Sequence, residues 1–122
     1  GLVQQEITQE LADEALKDYL SDNRRKMITP LLIQEAVGKY FNIRPEDFKS
    51  KKRTKNIAYP RQIAMYLCRD LTDLSLPKIG EEFGGRDHTT VIHAISKIEQ
   101  DMKNDAEIRR IIQELNKNIK GV

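Results

Sequence analysis

Tryptophan is absent from this 122-residue sequence, cysteine occurs once, and the aromatic residues are three Phe and four Tyr. With so few rings, burial must come from aliphatic side chains, and a chain of this length supports one modest core. The lone Cys68 excludes an internal disulfide framework and suits a reducing cytosol. No run approaches the roughly 20 apolar residues of a membrane span. The opening Gly1-Leu2-Val3-Gln4-Gln5 lacks the basic-then-apolar layout of a secretory signal and reads as a cut through a longer protein. His88 and His93 are the only histidines; they do not share a helix face, and with Cys68 alone no zinc-ligand spacing exists. There is no G-x-x-x-x-G-K-[ST] phosphate loop and no nucleophile–base arrangement, so an enzyme is the weakest reading.

Acidic residues are missing from one region in particular. Between Lys49 and Arg69 there is none, while Lys49, Lys51, Lys52, Arg53, Lys55, Arg61 and Arg69 are all basic. The formal charge of +2 therefore hides a basic block between an acidic N-terminal arm and a neutral tail. A block of this kind points to a polyanion, although a solvated loop and ordinary helix surface would look the same.

What the sequence has in abundance is apolar residues at helical spacing. Ile7, Leu11, Ala15 and Tyr19 predict an amphipathic helix over about 3–20, followed by a polar break at 21–26. Thr29 and Pro30 open the next helix, with Ile33, Val37, Tyr40 and Phe41 inward and Asn42 ending it in a left-handed conformation. Arg44 to Phe48 reads as one short turn, and Lys49 to Ala58 as a polar loop. Pro60 is expected to open a helix that buries Ile63, Ala64, Leu67, Cys68 and Leu71. Ser75 caps a short helix with Ile79 and Phe83 inward, ended by Gly84-Gly85. A long helix runs from about Asp87 to Met102, and Asn104 caps a last one, with Glu107 closing a capping box and Ile108, Ile111, Ile112, Leu115 and Ile119 inward. Nothing alternates with period two. The chain reads as all-α, a helical bundle preceded by a separate amphipathic helix, divided into 1–28 and 29–122.

The informative stretch is Ser75 to Ile98: a short helix, a Gly-containing turn and a longer helix, which is the helix-turn-helix plan. At about 100° per residue, Val91, Ile95, Ile98 and Met102 fall in one sector of the long helix, and Thr89, His93, Ser96 and Lys97 roughly opposite. One face can pack while the other, free of acids, faces a groove. The helix begins with Arg86, Asp87, His88, Thr89 and Thr90, side chains able to reach base edges, although helix capping alone would account for Asp87. Gly80, in mid-helix, is expected to permit a close helix crossing.

Phe83 to Ala94, with Pro60 to Leu67 and Ser75 to Gly80 upstream, resembles the signature of the bacterial replication initiator family DnaA. The resemblance covers roughly residues 29–119, with 1–20 similar to the last helix of the family's ATPase lid and 21–28 to its linker. It implies sequence-specific binding of double-stranded DNA at DnaA boxes in a replication origin, in the bacterial cytoplasm. It implies base contacts in the major groove from Asp87, His88, Thr89 and Thr90, and an arginine, Arg53, in the minor groove. Lys51 and Lys52 stand close enough to serve in its place. Backbone contacts would involve Arg61, Gln62, Arg69, Leu76, Pro77, His93 and Lys97. No cofactor is expected in this fragment, and ATP and magnesium only with the family's ATPase domain. Further implied partners are other initiator protomers through that domain, regulatory proteins, and acidic phospholipids near 11–28, where the excess of acids in the helix favours a plain lid helix. Two other readings stand beside this one: a helix-turn-helix transcriptional regulator, which would usually dimerise on a palindrome, and a helical protein-interaction module.

Overall fold

A computed structural model describes residues 28–121. The expected amphipathic helix over 3–20, the linker after it, and with them the first of the two expected parts and its lipid contact, lie outside the described residues. The described residues form five α-helices and one 3-10 turn, without strands.

Helix α1 (Pro30–Phe41) starts where Thr29 Oγ1 accepts from the Leu32 amide at 3.2 Å and Pro30 occupies the first turn. Ile33 and Val37 are fully buried, Tyr40 and Phe41 flank them half-buried, and Asn42 ends the helix at φ 58°. The 3-10 turn (Pro45–Phe48) delivers Phe48 to the core, edge-on to Phe83 with centroids 6.3 Å apart.

Helix α2 (Lys55–Leu71) corrects the expectation that Pro60 opens it, since Pro60 lies inside the helix. The Thr54 carbonyl accepts from the Ile57 and Ala58 amides at 3.0 and 2.8 Å, so the first turn is closed upstream of the proline. The donor that Pro60 lacks would have served the carbonyl of Asn56, an exposed residue. The loop that was expected to run to residue 58 is thereby confined to 49–54.

Helix α3 (Leu76–Glu82) is capped by Ser75, whose Oγ accepts from the Lys78 amide at 3.3 Å. The turn after it is built on Gly80, whose carbonyl accepts from the amides of Phe83, Gly85 and Arg86 at 3.2, 3.1 and 2.9 Å. A Cβ at Gly80 would stand 2.0 Å from the Arg86 carbonyl oxygen. The glycine is thus required by the returning turn, and the expected helix crossing is not its cause. Gly84 and Gly85 take φ of 88° and 77°, as their place at a helix end predicts.

Helix α4 (His88–Asn104) leads almost directly into α5 (Ala106–Lys120). The expected cap Asn104 is the last residue of α4; Asp105 caps α5, its Oδ1 accepting from the Glu107 amide at 2.9 Å, and the Glu107 carboxylate bonds Arg110 instead of closing a capping box. The most extensive pairing is α2 with α4. α1 covers another side of α2, α3 lies on α4, and α5 bridges α1 and α4 with Ile112, Leu115 and Ile119 buried.

Candidate nucleic-acid interface

The rotation of α4 about its axis decides what it shows to solvent. Val91, Ala94 and Ile98 are buried against the core, with Ile95 and Met102 partly so. His93, Ser96 and Lys97 consequently face outward, as do Asp87, His88, Thr89 and Thr90 at the start of the helix. The Thr89 hydroxyl donates to Asp87 Oδ2, and His88 Nδ1 lies 3.0 Å from Oδ1. The Thr89 hydroxyl foremost, then the adjacent His88 imidazole and the amides of the first turn, hold the Asp87 carboxyl below its usual range. Asp87 is therefore both a helix-start residue and an exposed acceptor.

Lys97 Nζ forms an ion pair with Asp101 Oδ2 at 3.6 Å, and the same oxygen accepts a hydrogen bond from the Tyr59 hydroxyl at 2.7 Å. This contact ties α2 to α4 and was not foreseen for Tyr59. Burial, followed by Asp101, raises the Tyr59 phenol above its ordinary range.

The loop 49–54 lies beside the start of α4. Lys49, Lys51, Lys52, Arg53 and Thr54 are exposed. Lys52 leans back to Asp47 at 3.8 Å, while Arg53 carries no such ion pair among the described residues. Burial foremost, then the positive charge of Arg53, disfavour the charge of the Arg86 guanidinium.

Arg61, expected to contact the DNA backbone, sits at the base of the loop. It is only 6% exposed, and its Nη2 donates to the carbonyls of Asp47, Ser50 and Lys52 at 3.2, 3.2 and 2.9 Å. Arg86, read from the sequence as able to meet a base, is half-buried, and its Nη2 donates to the Ser50 carbonyl at 2.6 Å. Burial lowers the pKa of both guanidiniums, and each also feels a neighbouring arginine. A signal for Arg61 was present: it stands four residues after Ile57 and three before Ala64, on the buried stripe of α2. Arg86 had no comparable signal, because it sits in a turn.

Among the other expected backbone contacts, Gln62 is half-buried, Leu76 is half-buried and Pro77 exposed at the start of α3, and Arg69 is exposed with Nη1 donating to the Leu74 carbonyl at 3.2 Å. The loop that carries Arg53 is joined through Ser50 to Arg86, just before the start of α4, and through the carbonyls of Asp47, Ser50 and Lys52 to Arg61. No cluster of three or more His, Cys, Asp or Glu is placed to hold a metal among the described residues. No described helix is long and apolar enough to cross a membrane.

A helix-turn-helix whose second helix exposes a polar first turn beside a basic loop is the arrangement of a DNA-binding class of domain. The model of the family described as the bacterial dnaA protein helix-turn-helix matches residues 30–98. The chain belongs to that family. A solved structure described as the crystal structure of DNA replication initiation factor is similar over 96% of this chain, with 33% sequence identity and a TM-score of 0.67. The match covers 37% of that chain, so this one spans little more than a third of its relative's length.

Proposed function

We propose that this chain binds double-stranded DNA sequence-specifically at DnaA boxes of a replication origin, and that it contributes no catalysis of its own. In this reading α4 enters the major groove, where Asp87, His88, Thr89 and Thr90 meet base edges. Arg53 enters the adjacent minor groove, where a narrow, A/T-rich groove attracts a guanidinium. Gln62, Arg69, Leu76, Pro77, His93 and Lys97 contact phosphate and sugar and fix the register. The observation that carries the proposal is the joint exposure of the first turn of α4 and of Arg53 in a chain of this family. ATP, magnesium and contacts with other initiator protomers belong, on this reading, to parts of a longer protein that this chain does not supply.

Fluorescence anisotropy with two duplexes of equal length, one with a DnaA box and one scrambled, tests this at several salt concentrations. Binding to the box about 1,000-fold tighter at near-physiological salt is the expected outcome. Equal and steeply salt-dependent binding to both would reduce the interface to a basic surface. Binding to neither would leave a protein-interaction module as the better reading.

A further inference from the structure

Loop 49–54 and the helix-turn-helix turn are distant in sequence, yet one carbonyl joins them. Ser50 O accepts from Arg86 Nη2 at 2.6 Å across 36 positions of sequence, and from Arg61 Nη2 at 3.2 Å. Arg61 also binds the carbonyls of Asp47 and Lys52, so it spans the loop from one end toward the other. The turn presses on the same loop with its backbone: a Cβ on Gly84 would stand 2.3 Å from the Lys49 carbonyl oxygen.

The chemistry of these contacts is unusual for a stabilising device. Among the described residues, neither guanidinium bonds a carboxylate, and the Nε of both is buried without a partner. Burying charge in this way is costly, and an apolar side chain would be the cheaper filling. What a planar, multi-donor guanidinium provides instead is directional hold on several carbonyls at once. The loop it holds is otherwise made of exposed residues with little packing of their own, a composition that would sample many conformations.

We propose that Arg86 and Arg61 are positioning residues that clamp loop 49–54 to the turn, so that Arg53 and the first turn of α4 meet DNA as one preset unit. The clamp removes the ordering cost of the loop before binding, which raises affinity for a site that engages both grooves. The proposal rests on the reading of Arg53 as a DNA-contacting residue. It also assigns Arg86 a role other than touching a base.

The test uses the full chain with Arg86→Lys, which keeps the charge and removes the fork. Backbone order parameters of residues 50–54 in the free protein should be near about 0.85 in the wild type and fall below about 0.6 in the variant, with α2 and α4 unchanged. Binding to the box should weaken about tenfold, with the scrambled duplex unaffected. In an Arg53→Ala background the same substitution should cost less than about twofold, because the loop's cargo is gone. Unchanged loop order would overturn the clamp, and so would a full further loss in the double variant, since Arg86 would then act on DNA directly. Should the wild type fail to distinguish the duplexes, the DNA-box reading falls, while loop order, read without DNA, decides the clamp separately. If Arg86→Lys does not fold, the wild type suffices: a through-bond coupling from the Arg86 guanidinium nitrogen to the Ser50 carbonyl carbon is expected, and a freely rotating guanidinium overturns the proposal.

Discussion

At the residue scale, two exposed side chains of α4 separate reading from anchoring. Thr90 is exposed in the first turn and carries both a hydroxyl and a methyl; Thr90→Ala is expected to weaken binding to the box by about 1–3 kcal/mol and to flatten sequence preference. Equal losses on box and scrambled duplexes would argue against base reading. Lys97 lies further along the same face, and Lys97→Ala should weaken all duplexes alike and lower the salt slope by about one unit; an unchanged slope removes its phosphate contact. Cys68 gives a stability prediction. It is fully buried in α2, and burial pushes its thiol from 9.0 up to about 12. The folded state keeps the proton more tightly than the unfolded one, so this contribution to stability is complete below about 9 and is lost as pH rises from there toward 12. Denaturant titrations across that window should show Cys68→Ala with a shallower alkaline loss than the wild type, and parallel curves would sink the idea.

At the element scale, local rules marked out most helices. The caps Thr29 and Ser75, the left-handed Asn42 and the Gly84-Gly85 stop all stand where side-chain and backbone chemistry place them. The two boundary errors have local causes as well. At Pro60 a helix already closed by Thr54 runs through a missing donor, and at residues 104–105 Asp105 takes the cap from its neighbour. Gly80 shows where propensity and packing oppose each other. Helix propensity alone favours Gly80→Ala by about 1 kcal/mol. Against this, the new Cβ would stand 2.0 Å from a backbone carbonyl that cannot move without opening the turn. We expect packing to win and the domain to lose about 2–3 kcal/mol, measured by chemical denaturation. A stabilised variant would show that the turn is free to move.

At the scale of the whole molecule, the family match ends at residue 98, yet α5 completes the core by burying Ile112, Leu115 and Ile119 against its neighbours. Each such side chain contributes about 1.5–3 kcal/mol, a sum comparable to the net stability of a small domain. Truncation after Asn104 is therefore expected to abolish the cooperative thermal transition seen by circular dichroism; a melt retained within a few degrees would make α5 an appendage. What the sequence by itself determined, among the described residues, was the order of the helices, most of their inner faces and the exposed polar face of α4, because a 3.6-residue period and capping chemistry act over a few neighbours. The inward turn of Arg61, the engagement of Arg86 with the loop and the bond from Tyr59 to Asp101 were decided by the tertiary structure. Each joins residues from different elements, and the partner is a backbone carbonyl or a carboxylate that only the packed chain brings within hydrogen-bond distance. The same long side chains, on sequence alone, are equally at home on a solvated surface.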